Sequence, residues 1–355
     1  MERRGCPVDK EEIFFMLAAK LREAFLHRSW QFEKLQEIRL RVNCPAMVVY
    51  GGEEYCLERD GGLGKGWERG VTVTPSMIRE SLEYMSNYSM YAYEEELRQG
   101  YLTVRGGHRI GMAGKMVMES GMPKTLQSIS FLNIRLAHEV LGCSDGVMPY
   151  LVEGERFCHS LIISPPGCGK TTLLRDIVRR LSDGGKGQKG MTVGVVDERS
   201  EIAACYQGHP QNDLGSRTDV LDGCSKVKGM MMMVRSMAPR VIAVDEVGSR
   251  EDVEAMEYVM NCGVGILATA HGNSVDEVKN KPVLGKMVQE RAFERYIVLQ
   301  AGTVGEIQAV FDGRGTLLAS AADAQEKAVN TFAAAHKLSV DSSASAEEMA
   351  VEAAC

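Results

Sequence analysis

Residues 164–172 read Ser-Pro-Pro-Gly-Cys-Gly-Lys-Thr-Thr, follow a short apolar run over 158–163, and open a helical pattern that continues to residue 181. No other stretch constrains the chain as tightly. An apolar strand, a glycine-rich turn and a helix starting on Gly-Lys-Thr form the context of a phosphate-binding loop. Backbone N–H groups cradle phosphate oxygens there, and the helix N-terminus adds a favourable partial charge. Ser164, Pro165, Pro166, Gly167, Cys168, Gly169, Lys170, Thr171 and Thr172 are therefore the candidate nucleotide-binding residues. Lys170 supplies a point charge for the β- and γ-phosphates of ATP, and the Thr171 hydroxyl is placed to ligate Mg²⁺. The first position of the usual pattern is glycine, and here it is Ser164. A residue before proline is driven to extended backbone with negative φ, which serine adopts readily. Cys168 is either small filler or a thiol made reactive by its place beside the helix N-terminus and the neighbouring lysine. In the second case alkylation blocks nucleotide binding and ATP protects.

Around this loop strands alternate with helices, the signature of an α/β domain with a parallel sheet. Strands are expected over 158–163, 191–196, 241–244 and 264–269, and helices over 171–181, 225–237 and 250–261. Terminal strands are expected over 295–300, 303–311 and 316–319. Ligands of such sheets bind at the carboxyl ends of the strands. The apolar run 241–244 ends in Asp245-Glu246, about 75 residues after Lys170. Asp245 would hold Mg²⁺, directly or through water, and Glu246 would act as general base on the attacking water. The bland alternative is a solvated turn. The run 191–196 ends in Asp197-Glu198-Arg199, and 267–270 ends in His271, which alone would more often be structural but, with the other polar strand ends at the same edge, is a candidate sensor of the γ-phosphate. Met230 to Met233 read as core filling.

The first 145 residues have a different, mixed α+β texture. A helix is expected over 9–42, a strand pair over 46–57, a flexible connection over 61–70, a helix over 75–98 capped near Thr74 or Ser76, and a hairpin about Gly106-Gly107. The expected organisation is a domain over 1–145, a second over 146–319, and an acidic Ala- and Ser-rich tail over 320–355, either disordered or a helix that docks on a partner. A length of 355 residues suits two domains. The net charge of −7 argues against a whole-chain grip on nucleic acid. Four of those seven charges belong to the tail, where six acids face Lys327 and Lys337. The ten cysteines make no CxxC and no zinc pattern, so they read as reduced and buried, Cys158 and Cys262 among them. No run reaches the ~18 apolar residues of a spanning helix, and the N-terminus lacks a signal-peptide core. A cytoplasmic location is expected, with peripheral membrane contact left open.

Read in order, the phosphate loop, VVDERSEIA (195–203), IAVDEVGSREDVEA (242–255) and ATAHG (268–272) resemble the stage III sporulation AA family, a relative of the hexameric ATPases of type II and type IV secretion and pilus machines. GGHRIGMAGK (106–115) and SFLNIRLAHEV (130–140) extend the resemblance, which spans roughly residues 30–315. It implies a RecA-like ATPase domain with a mostly parallel sheet, preceded by a smaller α+β domain, in a hexameric ring with ATP between subunits. By the same resemblance Glu198 is the working carboxylate of an acidic box and His271 belongs to a histidine box. Arg109 and Arg135 are the candidates to reach a γ-phosphate, though each could equally serve a structural ion pair. The implied role is a Mg²⁺-dependent ATP-hydrolysing motor subunit, docked on a secretion-like membrane channel on the mother-cell side during endospore formation. The alternatives are a RecA-like ATPase acting on nucleic acid and a nucleotide-gated scaffold with little turnover. Acidity and few aromatics speak against direct nucleic-acid contact. Ser164 and the tail are departures from the family pattern.

Overall fold

A computed structural model describes residues 12–89, 93–185, 188–302 and 305–324. The expected acidic tail lies outside the described residues from 325 on, as do Cys6 and Cys355. The described residues up to Glu139, with Ala204–Asn212, form one compact unit, and Val140–Ala203 with the residues from Asp213 on form another.

The N-terminal unit is built on a seven-stranded antiparallel sheet, ordered Leu63–Gly64, Glu53–Leu57, Met47–Tyr50, Leu35–Arg41, Met122–Arg135, Arg109–Glu119, Tyr101–Thr103. One face buries Ile38, Leu40, Ile110 and Ile134 against Phe14, Leu21, Phe25, Ile78 and Leu82 of the helices Glu12–Phe15, Ala19–Leu26 and Pro75–Met85. The last of these starts where Thr74 Oγ1 accepts the Met77 N–H over 3.3 Å, with Pro75 at the first helical position.

The single helix expected over 9–42 is not formed. Helices stop at Leu26, a 3₁₀ turn spans Phe32–Lys34, and Leu35–Arg41 is a strand. A β-bulge between Leu35 and Glu37 accounts for the difference. It turns the strand spacing of Leu35, Ile38 and Leu40 into a helix-like three-residue step. The helix expected over 75–98 is likewise broken, at Met85, and a separate short helix spans Glu94–Gln99.

The second unit holds an eight-stranded sheet, ordered Thr218–Asp222, Val193–Asp197, Val241–Val244, Gly265–His271, Ser160–Ser164, Arg295–Leu299, Ile307–Asp312, Leu317–Ser320. The first six strands run parallel and the last two antiparallel. This is the α/β class expected of the chain. Every residue of Ser160–Ser164, Val193–Asp197 and Val241–Val244 is buried, so these strands carry continuous apolar runs rather than alternation. Val253, Met256 and Val259 of helix Arg250–Asn261 and Met230 and Met233 of helix Lys226–Ser236 cover the sheet. That second helix lies directly on its strand: a Cβ on Gly229 would sit 2.4 Å from Val196 Cγ1. The methionine run is only half core, because Met232 is exposed.

The eight described cysteines are all free thiols. Cys158 is buried as expected, whereas Cys262 caps the end of helix Arg250–Asn261 and is exposed. Among the described residues no helix is long and apolar enough to cross a membrane.

Candidate functional site

Four neighbouring parallel strands end at one edge of the second sheet. Ser160–Ser164 leads into the phosphate loop, Gly265–His271 ends on His271, Val241–Val244 on Asp245 and Glu246, and Val193–Asp197 on Glu198 and Arg199. The buried Ser164 is the last strand residue, stands opposite His271 in register, and donates from Oγ to the Pro165 carbonyl over 2.8 Å. Its extended backbone is the conformation that proline imposes on its predecessor. The loop then turns through Gly167 (φ +75°) and Gly169 (φ +87°), a region that only glycine enters cheaply. Helix Lys170–Asp183 follows, and Thr171 and Thr172 lie in its first turn.

Asp245 is held through both oxygens. Thr171 Oγ1 donates to Oδ2 over 2.5 Å, Thr269 Oγ1 donates to Oδ1, and the Glu246 N–H reaches Oδ1 at 3.0 Å. A hydroxyl beside a carboxylate is a hard-oxygen donor set, which fits Mg²⁺. Among the described residues no cluster of three or more His, Cys, Asp or Glu forms a metal cage.

Glu246 gathers three cationic or polar groups. Lys170 Nζ lies 2.6 Å from Oε1, His271 Nε2 3.2 Å from Oε1, and Arg199 Nη1 2.8 Å from Oε2. The Lys170 hydrogen bond, with the charges of Lys170, Arg199 and His271, holds this carboxyl below the usual range against the opposing effect of burial. Glu246 also adopts φ +52°. A left-handed conformation costs a non-glycine residue about 1–2 kcal/mol. The hydrogen bond from its N–H to Thr269 Oγ1, 2.9 Å, helps fix it. His271 is half-exposed through its side chain, but its Nδ1 is buried without a hydrogen-bond partner among the described residues.

Glu198 is engaged elsewhere: Lys226 Nζ, at the first residue of helix Lys226–Ser236, lies 2.6 Å from it. Glu198, Arg199, Lys226, Asp245 and Glu246 line one small cleft. Asp197, beside them, is buried and accepts the N–H groups of Glu201, Ile202 and Ala203 at 2.8–2.9 Å. Burial pushes its pKa up to about 6, opposed by those hydrogen bonds. Asp197 thus shapes the turn that presents Glu198 and Arg199.

Cys168 is buried, and its carbonyl accepts the Gly305 N–H over 2.9 Å. Arg109 and Arg135 belong to the N-terminal unit, where they stand directly opposite each other on adjacent strands. The Arg109 guanidinium lies 3.8 Å over the Tyr101 ring, and Arg135 lies 3.4 Å from Glu37. The sequence places Arg199 and Thr269 at strand ends of this edge without a role for either; in the structure Arg199 pairs with Glu246 and Thr269 orients Asp245. Their signal was the position each shares with the acidic and histidine motifs, at the end of an apolar strand.

Residues 8–318 match the family described as "Sporulation stage III, protein AA". Stage III sporulation protein AA of Bacillus subtilis (strain 168) is 42% identical over 289 residues, covering 81% of this chain and 90% of that protein. An uncharacterized protein ycf45 of Porphyra purpurea is 29% identical over 184 residues, covering 52% of this chain and 31% of that one. Among solved structures, the pilus retraction motor PilT with bound ADP superimposes with a TM-score of 0.51 at 17% identity, covering 86% of this chain and 85% of that one. That likeness shows the fold, a RecA-like, mostly parallel sheet preceded by an N-terminal domain. The chain belongs to the sporulation stage III protein AA family.

Proposed function

We propose that this chain is a Mg²⁺-dependent ATP-hydrolysing motor subunit of a secretion-like membrane channel complex in endospore formation. The observation that carries the proposal is the convergence of Lys170, Arg199 and His271 on Glu246 while Thr171 reaches Asp245. A structural turn has no need of this arrangement. Two adjacent carboxylates at the end of a buried strand are costly unless paired.

The loop from Ser164 to Thr172 binds the triphosphate through backbone N–H groups, and Lys170 takes the β- and γ-oxygens. Bound phosphate competes with Glu246 for the Lys170 ammonium. Glu246 accepts a proton from the water that attacks the γ-phosphorus as the bond to ADP breaks. His271 hydrogen-bonds the γ-phosphate. Mg²⁺, when bound, would neutralise phosphate charge, and Thr171 and Asp245 are the residues that would hold it. Glu198, drawn to Lys226, is the second carboxylate of the cleft rather than the base. Arg109 and Arg135 reach the γ-phosphate of a neighbouring copy in a hexameric ring, where a guanidinium fork suits the developing charge. ATP and Mg²⁺ are the ligands, the mother-cell face of the channel is the docking site, and nucleic acid is not a partner.

Phosphate release from ATP by the full chain tests the proposal. Release should require Mg²⁺, vanish in Lys170→Ala and be indifferent to added DNA or RNA. A rate unaffected by Lys170→Ala would refute it.

A further inference from the structure

We infer that Arg199 is a positioning residue that holds the Glu246 carboxylate in its working orientation; this rests on Glu246 being the base. The strand ending in Asp197 runs parallel to the strand ending in Val244, with Val196 opposite Val244, so the turn after Asp197 lies beside Glu246. The backbone of this turn is fixed. Asp197 accepts three of its N–H groups, Ser200 adopts φ +53°, and Ser200 Oγ donates to Asp222 Oδ1 over 2.7 Å. Arg199 is therefore presented from a rigid base even though its side chain is 61% exposed.

The two oxygens of Glu246 face different groups. Oε1 meets Lys170 and His271, the side chains that a γ-phosphate would recruit. Oε2 meets Arg199 at 2.8 Å. When phosphate claims Lys170, Arg199 keeps its hold on the opposite oxygen, and Oε1 stays directed at the phosphate side. The neighbouring Glu198 does not compete for this role, because Lys226 engages it at 2.6 Å. A guanidinium suits such a hold, because it is always charged and its fork is directional, whereas an ammonium is a point charge. Without it the carboxylate rotates, and small misplacements of a catalytic group cost up to ~10²-fold in rate.

The test uses the full chain, with ATP turnover and calorimetric ADP binding as readouts. Arg199→Ala should lower kcat by roughly ten- to a hundredfold while KM for ATP and Kd for ADP stay within about twofold. Arg199→Lys should recover part of the loss. In a Glu246→Gln background, Arg199→Ala should have little further effect, because the residue acts through Glu246. An unchanged kcat in Arg199→Ala, with normal turnover of the unsubstituted chain, overturns the inference alone. A raised KM with kcat preserved also overturns it, and makes Arg199 a substrate contact instead. No turnover in the assembled unsubstituted chain, or full turnover in Glu246→Gln, overturns the base assignment and this inference with it.

Discussion

The Thr171 hydroxyl donates to Asp245 Oδ2 over 2.5 Å, joining the first turn of the phosphate-loop helix to the end of a strand two places away in the sheet. Thr269, from the strand between them, donates to the other oxygen of the same carboxylate. With both oxygens oriented by hydroxyls, Asp245 is preorganised as a hard-oxygen ligand. Asp245→Asn should weaken binding of Mg²⁺-ATP by about tenfold or more, the scale of one charge-assisted contact. Nucleotide binding in the presence of a chelator should change little. Titrations with and without Mg²⁺ measure the difference, and an equal loss in both would remove Asp245 from the metal site.

Cys168 sits in the phosphate loop at 6% exposure. Alkylation there should be slower than at the exposed Cys262, should be slowed further by ADP, and should abolish nucleotide binding once complete. Site-resolved mass spectrometry with a maleimide reads the rates at both sites, and an ADP titration of the modified chain reads the binding. Full ADP affinity after complete modification of Cys168 would show that the loop tolerates the adduct and does not close on phosphate.

In the N-terminal unit, burial, with His138 nearby, lowers the pKa of His108 to about 4. Its Nδ1 accepts the Ala137 N–H over 3.0 Å, so the folded unit holds the neutral ring. The unfolded chain takes up the proton near pH 6.5, the folded chain only near pH 4. The unfolded state therefore binds more protons between these values, and stability is lost as pH falls through that window, by up to about 3 kcal/mol. His108→Asn should be less stable than the unsubstituted chain at pH 7, and its deficit should shrink steadily as the pH falls toward the folded pKa. Thermal unfolding across that range checks the sign; a deficit independent of pH would contradict it.

The phosphate loop and the acidic strand end were legible because buried parallel strands print as unbroken apolar runs, and charges at their ends stand out. Val241–Val244 followed by Asp245 is such a case. Edge and bulged strands print differently. Thr218–Asp222 is a half-exposed edge strand with no apolar run, and Leu35–Arg41 hides its alternation behind a bulge. Long-range features were also out of reach. That Ala204–Asn212 groups with the N-terminal unit depends on contacts such as the Gly106 N–H to Gln211 Oε1 bond, 105 positions apart in the chain. The pairing of Arg199 with Glu246 and of Lys226 with Glu198 depends on strand order, which spacing along the chain does not encode.

ATP binding and single-turnover hydrolysis, compared in the assembled full chain and in Glu246→Gln, test whether Glu246 is the base of an ATP-hydrolysing site. A glutamine keeps the shape and removes the proton acceptor. Glu246→Gln should bind ATP at least as tightly, because Lys170 no longer shares its charge with a carboxylate, while hydrolysis should fall by about 10²-fold or more. Hydrolysis at the unsubstituted rate in Glu246→Gln would show that Glu246 is not the base.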